Sequence, residues 1–179
     1  ESRKNGHTKG LLIFATGLGK SLAEFSDMVK FQGRLLILAH NESLLIQLAE
    51  DFKKVCKSRK IGFMYQSMKN FDAEVIFANV RTMKNYMNKY NKRTFDYILV
   101  DETHHVKAKT YTSILAYFTP KFILGMTATP ERPDKQEILP IYDNNIILEI
   151  NEKEAIDKRW IRPYSIVAIW DKWCDYNNI

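Results

Sequence analysis

Lys20 and Ser21 follow two closely spaced glycines in Thr16-Gly17-Leu18-Gly19-Lys20-Ser21, directly after the apolar run Leu11–Ala15. This pattern suits the holding of anionic oxygens. Glycines let a backbone curl tightly, so that several N–H groups converge on one point. A helix starting after the loop would add partial positive charge, and Leu22, Phe25, Met28 and Val29 fall on one side of such a helix. Lys20 would then neutralise outer phosphates, and Ser21 would offer its hydroxyl to Mg²⁺. The widespread pattern Gly-x4-Gly-Lys-Ser/Thr is met only in part, because Phe14 stands at the first glycine position. Taken alone, a glycine-rich turn with a solvent-facing lysine stays open as the alternative.

Two adjacent acids, Asp101 and Glu102, end the apolar run Tyr97–Val100. In a doubly wound sheet ligands bind at the carboxyl ends of strands, so Asp101 and the Lys20 loop are expected on one edge. Asp101 could hold Mg²⁺ through its water shell. Glu102 could accept a proton from an attacking water. Acids after a strand are commonplace, but a phosphate loop about eighty residues upstream makes this pair a Walker B candidate. His104 and His105 follow; they could cap a helix or face solvent, and no nearby Cys or third His completes a zinc set. A third strand-like run, Phe122–Met126, leads into Thr127-Ala128-Thr129-Pro130. Two hydroxyls flanking a small residue suit hydrogen bonding to a neighbouring strand end, and Pro130 stops the strand.

The elements that must position these residues are legible as alternating patterns. Leu11–Ala15, Leu35–Ala39, Val75–Ala78, Tyr97–Val100 and Phe122–Met126 are continuous apolar runs, with Ile61–Tyr65 a weaker sixth. Runs without inside/outside alternation suit strands covered on both faces. Between them, Leu44, Leu45, Leu48, Phe52 and Val55 share a helical face, with Asn41 placed to cap it. Met83, Tyr86, Met87 and Tyr90 recur at helical spacing opposite Arg81, Lys84, Asn88 and Lys89. The expected fold is α/β, a mostly parallel sheet with helices on both faces. Asn145–Ile150 and Ser165–Trp170 are expected as further strands joined by the charged segment Asn151–Arg159. The expected division is a main domain over residues 1–159 and an extension over 160–179.

Composition bounds the function. The 179 residues are 45% hydrophobic and 27% charged, with a formal net charge of +6. No apolar run approaches the ~20 residues needed to span a bilayer. The polar start, Glu1 to Asn5, does not resemble a secretory leader. Cys56 and Cys174 lack metal or disulfide spacing and are expected as free thiols, which suits the cytoplasm. Five basic residues and no acid between Arg81 and Arg93 permit a polyanionic partner.

Together the segments resemble superfamily 2 DEAD/DEAH-box helicases, in the branch akin to the motor (Res) subunit of type III restriction enzymes. Ala15–Ser21 resembles motif I, which does not need the earlier glycine. Leu38–Gln47 is similar to motif Ia, Ala78–Met83 to motif Ib, Asp101–His105 to the DExH box, and Gly125–Pro130 to motif III. The resemblance implies the first of two RecA-like lobes, a three-layer P-loop domain that uses ATP and Mg²⁺. It implies Thr16, Gly17, Leu18, Gly19, Lys20 and Ser21 on the nucleotide, with Ser21 and Asp101 toward the metal. Glu102 would activate water. His104, His105, Thr127, Ala128 and Thr129 would link nucleotide state to movement. His40, Asn41, Arg81 and Thr82 would face nucleic acid, DNA rather than RNA. A second lobe and restriction or repair subunits are the implied partners, with no membrane. A small-molecule P-loop phosphotransferase and a nucleotide-gated interaction module remain the alternatives.

Overall fold

In the computed structural model, residues 2–15, 25–102, 109–128 and 138–162 are described. Among them, eight strands form one sheet: β1 (Lys9–Phe14), β2 (Arg34–Ala39), β3 (Ile61–Tyr65), β4 (Met68–Lys69), β5 (Val75–Asn79), β6 (Phe95–Val100), β7 (Phe122–Thr127) and β8 (Ile146–Ile150). Their spatial order is β4-β3-β5-β2-β6-β7-β1-β8. Every neighbouring pair is parallel except the β3–β4 hairpin.

The apolar runs become the central strands because both faces of the sheet are covered. Alternate residues of one strand enter opposite cores: Leu11 and Ile13 join one cluster, Leu12 and Phe14 the other. Each fully buried Leu, Ile or Phe contributes roughly 1.5–3 kcal/mol of transfer free energy. Helix α1 (Glu42–Val55) buries Leu45, Leu48, Ala49 and Phe52 on one face of the sheet. The helical residues 25–28 add Phe25 and Met28 to that same core. Helices α2 (Val80–Tyr86) and α3 (Lys109–Tyr117) cover the other face with Val80, Met83, Tyr111 and Ile114. The result is a three-layer α/β fold, as expected.

Several boundaries differ from the periodicity. The helix through Met83 ends at Tyr86 and tightens into a 3-10 turn over Met87–Lys89. Tyr90 has left the helix yet stays buried, its ring 5.2 Å from that of Phe95. The charged segment after β8 holds a short helix, α4 (Glu152–Asp157), whose Glu154 N–H donates to the Asn151 side chain at 2.8 Å. Neither strand β4 nor helix α3 follows from the periodicity, and α3 borders the groove described below. The expected strand Ser165–Trp170, and most of the expected extension, lie outside the described residues. Among the described residues no helix is long and apolar enough to cross a membrane.

Candidate functional site

Strand order decides which chain segments meet. β6, β7 and β1 are consecutive in the sheet and parallel. Their carboxyl ends therefore bring together Asp101 after β6, Thr127 and Ala128 at the end of β7, and Ala15 after β1. The register is tight, with Val100 opposite Gly125 and Thr127 opposite Ile13. Asp101 is 7% exposed and Thr127 1% exposed, two polar side chains sunk in an otherwise apolar core. The Asp101 N–H donates to the Leu38 carbonyl at 3.1 Å, which extends the β2–β6 ladder by one residue.

At Glu102 the backbone turns abruptly. Its φ is 52°, the left-handed region that a residue with a Cβ occupies at a cost of roughly 1–3 kcal/mol. The turn takes Glu102 out of the strand direction, so two successive carboxylates occupy different surroundings, one buried and one half-exposed. That is the condition for giving adjacent acids separate roles.

Phe14 explains the missing glycine. It is still a strand residue, paired with Ile150 of β8 and only 6% exposed. The chain does not need to curl there, and the side chain serves the core instead.

Two tyrosines lie close to these strand ends. Tyr142, fully buried in the 3-10 turn Leu139–Tyr142, presses its ring against Gly125 of β7. Tyr111 of α3 is 2% exposed. Burial first, then the negative charges of Asp101 and Glu102, hold its phenol above the usual tyrosine range. Among the described residues neither hydroxyl has a hydrogen-bond partner. Each such buried orphan costs about 1–3 kcal/mol.

A second feature opens on the same edge, a groove of about 890 Å³. All four residues expected to face nucleic acid line it: His40, Asn41, Arg81 and Thr82. Asn79 holds its two halves together. Its side-chain amide donates to the His40 carbonyl at 2.9 Å, and its Oδ1 accepts from the N–H groups of Arg81 at 3.0 Å and Thr82 at 3.4 Å. Asn41 caps α1 as expected, accepting from the Ser43 N–H at 2.9 Å.

The sequence did not reveal Gln66 or Tyr111 as groove residues. Gln66, at the tip of the β3–β4 hairpin with φ 44°, donates to Glu42 at 2.5 Å across the opening. Tyr111 lines the groove from α3. The only signal for Tyr111 is an aromatic residue inside the polar run Lys109-Thr110-Tyr111-Thr112-Ser113. Thr16, Gly17, Leu18, Gly19, Lys20, Ser21, His104, His105 and Thr129 lie outside the described residues.

A parallel sheet with a buried acid at one strand end, a hydroxyl at the next and a glycine-rich sequence after the third has the architecture of a RecA-like lobe. The chain belongs to the family described as "Type III restriction enzyme, res subunit", whose model matches residues 1–132, and it is similar to the N-terminal RecA-like lobe of superfamily 2 helicases. It is 31% identical over 169 residues to IRC3 of Saccharomyces cerevisiae, assigned as an ATP-dependent helicase, covering 82% of this chain and 24% of that protein. It is 25% identical to the DNA 3'-5' translocase XPB2 of Sulfurisphaera tokodaii, covering 90% of this chain and 36% of the relative. The chain thus spans about a quarter to a third of these relatives. Among solved structures, a fragment assigned as the HsdR subunit of a type I restriction enzyme from Vibrio vulnificus matches with TM-score 0.66 and 26% identity, covering 87% of this chain and 28% of that one. A DEAD box protein from Methanococcus jannaschii shares the fold at TM-score 0.70 and 18% identity, over 86% of this chain and 48% of that one.

Proposed function

We propose that this chain is the ATP-binding first lobe of a motor that moves on or unwinds nucleic acid, with DNA as the track. The carrying observation is that the strand ends bearing Asp101, Thr127 and Ala15 share one sheet edge with the groove at His40 and Arg81. Asp101 is joined through its N–H to Leu38, two residues before His40. Events at the nucleotide and at the track are therefore mechanically adjacent.

In this proposal Thr16, Gly17, Leu18, Gly19, Lys20 and Ser21 cradle the ATP phosphates. The donor set fits a magnesium ion: Asp101 is a buried carboxylate, a hard oxygen donor, at the strand end where the phosphates would lie. Mg²⁺ bound by Ser21 and Asp101 would neutralise charge on the phosphates. Glu102, set apart by its left-handed turn, takes the proton from the attacking water. His104, His105, Thr127, Ala128 and Thr129 would link nucleotide state to movement. His40, Asn41, Arg81 and Thr82 contact phosphate backbone, which gives affinity without reading sequence. The name of the XPB2 relative, a DNA translocase, supports DNA over RNA. We assign residues 1–159 to the lobe and 160–179 to an extension leading to a second RecA-like lobe, with a cytoplasmic location and restriction or repair subunits as partners. The second lobe would bring an arginine finger, worth ~10³–10⁵ in rate, so the isolated chain is expected to hydrolyse ATP barely.

The test is the ATPase rate of the full-length protein without nucleic acid and with single-stranded DNA, duplex DNA or RNA, at fixed salt. Strong stimulation by DNA is expected. Glu102→Gln should lower turnover by at least a hundredfold while ATP binding persists. Turnover indifferent to all three polymers would turn the assignment toward a nucleotide-gated module. Preserved hydrolysis in Glu102→Gln would favour a small-molecule phosphotransferase.

A further inference from the structure

Tyr111 occupies a position that neither packing nor solvation accounts for. Its side chain is 2% exposed inside a cluster of apolar residues that includes Val100 and Ile114. A phenylalanine would fill that space without burying a hydroxyl. The hydroxyl has no hydrogen-bond partner among the described residues. A buried polar atom left unpaired in a native structure calls for an explanation.

Its surroundings supply one. On one side Tyr111 lines the groove that holds His40 and Arg81. On the other, it shares a buried cluster with Val100, the residue directly before Asp101, and after burial the charges of Asp101 and Glu102 raise its phenol further. A phenol is a donor and a carboxylate only accepts, so the two groups are complementary. Tyr142 is a built-in comparator. It is also buried and also unpaired among the described residues, and its phenol feels the charge of Tyr111, but it packs on Gly125 and is not part of the groove lining.

We propose that Tyr111 is a positioning residue that reports occupancy of the groove to the acid pair, its hydroxyl donating to Asp101 or Glu102 when nucleic acid fills the groove. This rests on the function proposed above. The coupling follows from a differential interaction: the hydrogen bond forms in one state of the groove and is absent in the other. Tyr111 touches the reacting atoms in neither state and acts through the carboxylates.

The experiment uses the full-length protein and whichever polymer stimulates it, with ATPase followed against polymer concentration. For Tyr111→Phe, the ratio of saturated to polymer-free rate should fall at least tenfold. The half-saturating concentration should move less than threefold, and Tm should not fall. Tyr142→Phe should keep the wild-type ratio. The proposal is overturned if Tyr111→Phe keeps the ratio, if its Tm falls, if ratio and half-saturation move together, or if both variants lose the ratio equally. A wild-type protein that no polymer stimulates would overturn the proposed function and this inference together. A stimulated wild type matched by Tyr111→Phe would overturn this inference alone.

Discussion

Gly125 is where a single methyl group would collide with the fold. A Cβ built there lies 2.3 Å from the Cζ and 2.6 Å from the hydroxyl of Tyr142. Tyr142 has no room to withdraw, being fully buried. Gly125→Ala is therefore expected to destabilise the protein by about 1–3 kcal/mol through overpacking. Urea midpoints would check this, and an unchanged midpoint would mean that the Tyr142 turn can yield. In the sequence Gly125 is legible only as part of a motif resembling motif III. Its partner lies in a different element, and no periodicity links the two. The same limit applies to Asn79. Only the folded chain reveals that its amide ties one half of the groove to the other.

Junctions between strand and helix carry the groove. α2 begins directly at the end of β5, and Asn79 is both the last strand residue and the helix cap. Asn79→Ala removes the acceptor for the Arg81 and Thr82 N–H groups and the donor to His40. A lost cap costs typically ~1 kcal/mol. Stability measured by urea should drop by about that amount, and DNA affinity should fall more than it does in a control variant of equal stability. Equal losses would show that Asn79 serves the helix alone. The central strands were legible because burial on both faces leaves continuous apolar runs. β4 was not, because two residues at a sheet edge carry no pattern. α3 was hidden by its polar start, where tertiary packing of Tyr111 and Ile114 decides the structure. The Met83 stripe packs on the core, with Met83 and Tyr90 buried and Tyr86 and Met87 partly so, yet its helix stops early. Tyr90 is buried by contacts with Phe71 and Phe95 rather than by helical position.

The molecule as a whole is closed at the edge opposite the groove by a clasp that no motif announces. Arg3, in the first turn of the chain, pairs with Asp27 through two bonds of 2.5 and 2.7 Å. The Tyr97 hydroxyl donates to the same carboxylate at 3.3 Å. The guanidinium also lies 5.1 Å from the ring of Phe31 and 5.2 Å from that of Phe122. The hydrogen bond from Arg3 is the main reason that the Asp27 carboxyl is held below its ordinary value of 3.8. As pH falls, the unfolded chain takes up this proton first, so the clasp stabilises above about pH 4 and loses its contribution as pH drops through the folded value. Both partners are partly exposed, which limits the effect to about 1 kcal/mol. Urea midpoints of wild type and Asp27→Asn should differ by about 1 kcal/mol at pH 7 and converge as pH falls below the lowered folded value. A gap that persists at low pH would assign the clasp to packing rather than charge.

The same strand order also sets a schedule for synthesis. β1 pairs only with β7 and β8 among the described strands. Its apolar side chains therefore leave the ribosome roughly 110 residues ahead of their first sheet partner, a wait of about 5–20 s at ordinary elongation rates. β2 meets its first neighbour, β5, far sooner. Of the eight described strands β1 is thus the first made, and it waits longer than β2 for a sheet neighbour. For that interval the nascent chain carries a sticky segment that a chaperone or an intruding chain can reach.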